Sequence, residues 1–154
     1  MTSLGKNSLI KCRAASQKTK LPAIADDSGL VVPALDGAPG VYSARYAGAN
    51  ASDAENNKKL LAQLAQFDDR GAAFFCCMTY MQSPTDPTPI IAFGQWHGEI
   101  LRQPQGAGGF GYDPLFYVTE HGATAAELPA DIKNRLSHRG MACRALLSQL
   151  QDRS

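Results

Sequence analysis

The sequence predicts a mixed α/β domain, and two observations support that prediction. The pattern Ser52-x-x-Glu55 is a capping box, and it precedes apolar residues at helical spacing. Residues 72–81 and 89–100 are rich in β-branched and aromatic residues, and the Pro-containing link between them is typical of a turn. Because these two segments are expected to form an antiparallel pair, a mixed central sheet flanked by helices is favoured over a doubly wound parallel sheet.

Length and charge limit the classes of protein to which the chain can belong. Its 154 residues suit one domain spanning 1–154. The 15 Lys and Arg residues are balanced by 14 Asp and Glu residues, and a formal net charge of +1 is not typical of nucleic-acid-binding proteins. The apolar run at 72–78 is too short to cross a bilayer, and the first residues lack a signal-peptide pattern. We therefore expect a cytoplasmic protein with neither nucleic acid nor membrane as a partner.

The four cysteines indicate thiols rather than a metal site or disulfides. Cys12, Cys76, Cys77 and Cys143 form no CxxC pair and have no zinc-site spacing. Cys76 and Cys77 are neighbours in a predicted strand, where successive side chains face opposite sides. Buried free thiols are the expected state.

The remaining elements are predicted from periodicity and capping patterns. Residues 5–16 have helical spacing, and the apolar stretch 21–25 predicts a strand that ends at the polar residues 26–29. Residues 114–118 predict another strand, and Thr124-x-x-Glu127 predicts the start of a short helix. Ser137 is the expected cap of the last helix.

Two neighbouring carboxylates are the first candidates for chemistry. Asp26 and Asp27 fall at the predicted end of a strand, where open sheets place ligands, and paired carboxylates suit a hard divalent cation. The segment Asp-Asp-Ser-Gly is also ordinary turn chemistry, in which Gly29 would supply a positive φ. Composition alone leaves both interpretations open.

A glycine-rich loop is the second candidate. Residues 106–111 match GxGxxG, but no clear strand precedes them and no helix follows, so a dinucleotide-binding fold is rejected. The loop lets backbone approach a ligand closely, with Phe110 and Tyr112 as stacking faces and Asp113 as a polar contact. The alternative is a connection whose aromatic residues fill the core.

The start of the last helix is the third candidate. His138 and Arg139 place two potential cations in the first turn, which the helix dipole disfavours unless an anion is held there. Lys133 adds a positive charge five residues before His138. The alternative is solvated charge at a helix end, and His97 and His121 are interpreted as surface or structural residues.

Four segments in order make the chain recognisable. They are Ala25–Leu30 (ADDSGL), Gly37–Tyr46 (GAPGVYSARY), Gly108–Pro114 (GGFGYDP) and Ser137–Gly140 (SHRG). Together they resemble the inosine triphosphate pyrophosphatase family, also described as dITP/XTP or purine NTP pyrophosphatases. The resemblance implies an elongated α/β fold and hydrolysis of ITP, dITP and XTP to the monophosphate and pyrophosphate. It also implies Mg²⁺ as cofactor and a homodimer.

The same resemblance assigns roles to individual residues. Asp27 matches the general base and a metal-linked carboxylate, with Asp26 beside it as a further metal-binding position. Lys133 and Arg139 match contacts that favour a 6-oxo purine. The substrate-binding positions that the resemblance implies are Ser28, Phe110, Gly111, Tyr112, Asp113, Lys133, His138 and Arg139.

Two departures from the family pattern leave alternatives open. The family opens with a strand, a phosphate-binding loop and a helix, and we expect this chain to begin after that unit. Lys6 stands where the resemblance places a metal-binding Glu. A non-catalytic nucleotide-binding or dimerising protein is therefore the alternative to an enzyme, and a pyrophosphatase for modified pyrimidine nucleotides is a third interpretation.

Overall fold

A computed structural model describes residues 2–153. Helices and strands alternate irregularly along the chain, with 3-10 turns at Pro33–Leu35, Gly40–Arg45, Asp113–Leu115 and Thr119–His121. The elements are α1 (Leu4–Thr19), β1 (Ala23–Val31), α2 (Asp53–Leu64), β2 (Gly71–Met81), β3 (Ile90–Ile100), β4 (Phe116–Val118), β5 (Ala123–Thr124), α3 (Ala130–Leu136) and α4 (His138–Asp152).

The strands form one five-stranded sheet in the order β1-β2-β3-β4-β5. β3 pairs antiparallel with β4, with Glu99 opposite Tyr117, and β4 pairs antiparallel with β5, with Tyr117 opposite Thr124. β2 and β3 are neighbours in the sheet, as expected for strands joined by a short turn. The mixed α/β class predicted from the sequence is confirmed.

The chain divides into two compact units. Of the described residues, 2–28, 75–95 and 135–153 form the first unit, and 29–74 and 96–134 form the second. β1, β2 and β3 each contribute residues to both. The expectation of one domain spanning 1–154 stays a prediction.

In the first unit, helices α1 and α4 cover residues of the sheet. Ile90, Ala92 and Leu146 form a buried cluster against which Met78 and Tyr80 also pack. The α1 side is more polar, because the Ser8 hydroxyl donates to Oγ1 of Thr79 at 2.9 Å in a buried hydrogen bond. A buried hydroxyl is tolerated only with such a partner.

In the second unit, three aromatic rings and one arginine organise the core. The rings of Phe74, Trp96 and Phe116 have centroids 4.5 to 6.4 Å apart, in tilted arrangements. The Arg70 guanidinium donates to the carbonyl of Leu64 at 2.7 Å, and also to the carbonyls of Ile100 and Leu101. Arg70 therefore satisfies a carbonyl at the end of α2, where intrahelical donors run out.

Two of the predicted element boundaries are wrong. Residues 26–29 do not close a strand, since β1 runs through them from Ala23 to Val31. No helix begins at Thr124, because only half of the capping box forms. The Thr124 N–H donates to Glu127 at 2.9 Å, but the Thr124 hydroxyl donates to the carbonyl of Gln105 at 2.7 Å. Helix α3 starts later, at Ala130.

Three of the four cysteines have the predicted buried, free thiols. Cys12, Cys76 and Cys77 are buried, whereas Cys143 on α4 is exposed and departs from the expectation. Burial raises the pKa of all three buried thiols, and that of Cys76 to about 11. These three thiols are therefore poor nucleophiles at neutral pH.

Within residues 2–153, none of the helices has both the length and the apolar character needed to cross a membrane.

Close packing of β3 under the start of α4 requires glycine at position 94. A Cβ there would lie 2.0 Å from the carbonyl oxygen of His138 and 2.6 Å from the backbone nitrogen of Ala142. We expect Gly94→Ala to lower the free energy of unfolding by at least about 2 kcal/mol, since backbone must move. Urea denaturation followed by circular dichroism measures the change.

The matched control is Gly71→Ala in β2, where the added Cβ would meet only Asp69 Oδ1 at an ordinary 3.5 Å. We expect this control to stay within about 0.5 kcal/mol of the parent chain. Equal effects of the two substitutions would show that the packing of β3 against α4 is not as tight as described.

Candidate functional site

Asp26 and Asp27 lie in the middle of β1 rather than at its end. Successive residues of a strand face opposite sides, and the two carboxylates accordingly meet cations from different helices. Asp27 Oδ1 lies 2.8 Å from Nζ of Lys11 on α1, and Asp26 Oδ2 lies 3.1 Å from the guanidinium of Arg139 on α4. The expected pair of converging carboxylates is therefore two separate ion pairs.

The second oxygen of Asp27 is in a different state from the first. Asp27 Oδ2 is buried and has no hydrogen-bond partner among the described residues, while the side chain as a whole is 17% exposed. A buried carboxylate oxygen without a donor is costly and calls for an explanation. It leaves one acceptor for a water molecule or a cation.

Side chains of the protein itself cap the first turn of α4 and pair with its Arg139 charge. Ser137 caps the helix as predicted, with its hydroxyl accepting from the N–H of Gly140 at 3.0 Å. Arg139 pairs with Asp26 and also donates to the hydroxyl of Ser28 at 3.3 Å. The anion beside Arg139 is thus a carboxylate of β1, while the Arg139 side chain stays 51% exposed, so the substrate-binding role and the alternative of solvated charge both stay predictions.

The three histidines differ in exposure. His138 is half-buried in the first turn of α4, and its substrate-binding role stays a prediction. His97 and His121 are exposed, in agreement with the interpretation as surface residues.

The glycine-aromatic loop of the second unit presents one aromatic ring and buries the other. Phe110 is 66% exposed, whereas Tyr112 is 5% exposed and donates its hydroxyl to the carbonyl of Ser43 at 2.6 Å. Burial raises the pKa of the Tyr112 hydroxyl far above its usual value. A stacking face is thus available from Phe110, and the same expectation is wrong for Tyr112, whose ring fills the core.

Asp113, Lys133 and Phe110 are brought together. The buried Asp113 carboxylate accepts from Nζ of Lys133 at 2.5 Å and from the N–H of Phe110 at 3.1 Å. The Lys133 ammonium also lies 4.8 Å from the centroid of the Phe110 ring, within the range of a cation–π contact. Gly109 is required at this turn, because its φ is +73° and a Cβ would lie 2.5 Å from Asp113 Oδ2.

The loop Gly37–Tyr46 has a structural role in the second unit. The Ser43 hydroxyl accepts from the N–H of Leu30 at 2.9 Å and donates to the carbonyl of Gly40 at 2.6 Å. Gly29 is extended rather than left-handed, and a Cβ on it would lie 2.3 Å from the Gly40 oxygen. The prediction that Gly29 supplies a positive φ is wrong, since its small size is what the packing needs.

Sequence reasoning missed several residues that contact the predicted ones. Lys11 was not predicted as the partner of Asp27, and Asp53 and Asn57 were not predicted to contact the glycine-aromatic loop. Each of these contacts joins residues at least sixteen positions apart, which periodicity does not reveal. For Asp53 and Asn57, the polar face of α2 was an available signal.

The donor set that the described residues offer a metal ion is small. Residues 2–153 contain no group of three or more His, Cys, Asp or Glu side chains that could hold a metal ion. Mg²⁺, however, is commonly bound through one or two carboxylates together with substrate phosphates and water. The open Oδ2 of Asp27 fits that mode, whereas Asp26 Oδ2 is already engaged by Arg139.

Fold and geometry place the chain among mixed α/β proteins that present charged groups from an edge strand and a helix start. The model of the Ham1 family matches residues 1–149. The chain belongs to the Ham1 family.

Two curated relatives illustrate the similarity. The dITP/XTP pyrophosphatase of Yersinia pseudotuberculosis is 56% identical over 149 residues, which is 96% of this chain and 76% of the relative. The dITP/XTP pyrophosphatase of Coxiella burnetii is 52% identical over 149 residues, covering 96% of this chain and 74% of the relative.

Solved structures give the same result for the fold. A Ham1 protein from Coxiella burnetii superposes with a TM-score of 0.95 at 50% identity, covering 99% of this chain and 78% of that protein. A structure from Mycobacterium abscessus, described as a nucleoside-triphosphatase and dITP/XTP pyrophosphatase, has a TM-score of 0.81 at 45% identity. That alignment covers 97% of this chain and 76% of the other.

The expected absence of an opening strand, loop and helix is not borne out by the family match, which begins at residue 1.

The buried hydroxyl of Tyr112 should contribute to stability. Tyr112→Phe removes the donor to the Ser43 carbonyl, and we expect the free energy of unfolding to fall by about 1–3 kcal/mol. Thermal and urea unfolding measure this loss. Tyr42→Phe is the matched control, because Tyr42 is 55% exposed and should lose less than about 0.5 kcal/mol. An unchanged stability of Tyr112→Phe would contradict the structural role.

Proposed function

We propose that this chain hydrolyses deaminated purine nucleoside triphosphates, namely ITP, dITP and XTP, to the monophosphate and pyrophosphate. The observation that carries the proposal is Asp27, which lies in the ADDSGL segment and keeps one buried carboxylate oxygen open. The dITP/XTP pyrophosphatases at 52% and 56% identity support the substrate class.

Asp27 is proposed as the general base. Lys11 holds Oδ1 and so fixes the carboxylate, while Oδ2 is left to accept a proton. When a water molecule attacks, its proton passes to Oδ2 and its oxygen bonds to the α-phosphorus. The bond from the α-phosphorus to the α,β-bridging oxygen breaks, and that oxygen leaves as part of pyrophosphate.

Cations near the carboxylates are proposed to bind the triphosphate. Lys11 and Arg139 are each about half exposed, at 54% and 51% of their side chains, so each can reach a phosphate oxygen without breaking the core. Arg139 has a fork of donors and needs only part of it for Asp26, so it is proposed here for a phosphate oxygen. Its contact with the 6-oxo group, which the resemblance implies, stays a prediction. The hydroxyl of Ser28 is a further donor at the same place. His138 is proposed as an additional contact from the same helix turn.

The residues Phe110, Asp113 and Lys133, which lie together in the second unit, are proposed to recognise the base. Lys133 has three donors and no acceptor, so it favours a 6-oxo group over a 6-amino group. The buried Asp113 orients Lys133, and the exposed Phe110 ring offers a stacking face. For Gly111 and Tyr112 the proposed contribution is through the backbone, because the Tyr112 side chain is buried.

Mg²⁺ is proposed as the cofactor, held by substrate phosphates and, through a water molecule, by Asp27, because the open Oδ2 of Asp27 also serves as the base. When bound, it would neutralise phosphate charge and polarise the phosphoryl group under attack. Asp26 is proposed to act mainly by holding Arg139, since its Oδ2 already carries that ion pair. A homodimer is proposed from the family resemblance, and a cytoplasmic location is proposed from the action on nucleotides.

Removal of the proposed base tests the function directly. We expect Asp27→Asn to lower kcat at least about a hundredfold, because an amide cannot accept the proton. Pyrophosphate release from ITP, dITP and XTP with Mg²⁺ is the measurement. The control is Asp36→Asn, which is exposed and has a positive φ that asparagine tolerates.

Two outcomes would contradict the proposal. Turnover that survives Asp27→Asn would remove Asp27 as the base. Absence of turnover in the parent chain, with ITP binding still detected by calorimetry, would favour the non-catalytic nucleotide-binding protein.

Substrate preference tests whether Lys133 recognises the 6-position of the base. Glutamine at position 133 can accept as well as donate, so we expect Lys133→Gln to lower the ratio of kcat/KM for ITP to that for ATP by about tenfold. Lys58→Gln is the control, since Lys58 is an exposed lysine of the same unit. An unchanged ratio would show that Lys133 does not read the 6-position.

A further inference from the structure

Two side chains of α2 hold both backbone polar groups of Gly111. The N–H of Gly111 donates to Asp53 Oδ2 at 2.9 Å, and its carbonyl accepts from Nδ2 of Asn57 at 3.1 Å. Asp53 and Asn57 are four residues apart, so they lie on one face of the helix. All three residues belong to the second unit. We call this pair the α2 clamp.

Gly111 has a backbone conformation that favours glycine. Its φ is +59°, and a Cβ built on it would meet nothing within 4 Å, so backbone conformation and not space requires glycine here. On either side the chain is already tied down, because the Asp113 carboxylate binds the N–H of Phe110 and the Tyr112 hydroxyl binds Ser43. The peptide groups of Gly111 are the part of the turn that depends on α2.

The amide of Asn57 shows which of its hydrogen bonds matters. Its Oδ1 is buried and has no partner within residues 2–153. Leaving a buried acceptor unsatisfied is unfavourable, so the hydrogen bond made by the NH₂ group of Asn57 must offset that cost. The retained contact is the one that its NH₂ group makes with the Gly111 carbonyl.

We propose that Asp53 and Asn57 are positioning residues that set the orientation of the Phe110 ring for binding the nucleotide base. Both bind the backbone of Gly111, the residue that follows Phe110. They fix the peptide next to it, and an exposed ring held by a fixed backbone loses less conformational entropy when it binds a ligand. The inference rests on the proposed function of Phe110 as the stacking face.

This role predicts a particular kinetic signature. Loosening the clamp should weaken base binding and leave the chemical step intact, because Asp27 belongs to the other unit. We expect KM for dITP to rise about threefold to tenfold, with kcat unchanged within about twofold.

The sharpest variant is Asn57→Asp, which keeps the shape of the side chain and replaces the donor to the Gly111 carbonyl with an acceptor. Asp53→Ala removes the other half of the clamp, while Asp53→Asn keeps an acceptor oxygen and should restore KM to within about twofold. Lys58→Gln on the same helix is the control and should not change KM.

Hydrogen exchange provides a readout that does not depend on activity. In the parent chain without nucleotide, the Gly111 amide is protected by Asp53, and NMR should show at least about tenfold faster exchange in Asp53→Ala. Asp53→Asn should recover the protection, and Lys58→Gln should leave it unchanged. Thermal unfolding of each variant confirms that the fold is retained.

The outcomes separate the two proposals. Faster exchange together with a higher KM and an unchanged kcat supports the clamp. Unchanged exchange in both Asp53→Ala and Asn57→Asp, or a fall in kcat with KM unchanged, overturns it. If the parent chain does not hydrolyse dITP, the proposed function fails, and the exchange and calorimetric affinity for dITP still decide whether the clamp orders Phe110 for binding.

Discussion

The alternation of side chains along β1 is the constraint on which the ion pairs of Asp26 and Asp27 depend. Because β1 continues through Asp26, Asp27 and Ser28, the two neighbouring carboxylates face opposite sides of one strand. One of them meets Lys11 from α1 and the other meets Arg139 from α4. A turn at this point would have allowed both carboxylates to face one ion. In the strand, each carboxylate instead pairs with a cation from a different helix, and Oδ2 of Asp27 keeps no hydrogen-bond partner among the described residues.

Helix α2 has a comparable organising role in the second unit. Its first two turns supply Asn56 to the carbonyl of Ala44 and the N–H of Ala47, and Asp53 and Asn57 to Gly111. The capping box at Ser52 fixes where the helix begins, and so fixes the height of all three side chains. Two loops that are remote in sequence are thereby held by one short stretch of helix.

How much could be predicted from the sequence differs from element to element. Ser52-x-x-Glu55 forms both bonds of its capping box, whereas Thr124-x-x-Glu127 forms one, because the Thr124 hydroxyl finds the Gln105 carbonyl instead. The Asp-Asp-Ser-Gly segment has the composition of a turn, but the packing of Gly29 against Gly40 keeps it extended. Local patterns identified the residues that carry charge. They could not identify Lys11, Asp53 or Asn57, whose partners are set by tertiary contacts.

The distribution of thiols makes the chain convenient to modify. Cys12, Cys76 and Cys77 are buried with raised pKa values, while Cys143 is exposed on α4. Alkylating reagents attack the thiolate and need access to it, so they should discriminate among the four without any substitution. A maleimide fluorophore or a spin label would therefore attach at Cys143. Distances measured from this label would report the position of α4 in the unaltered sequence.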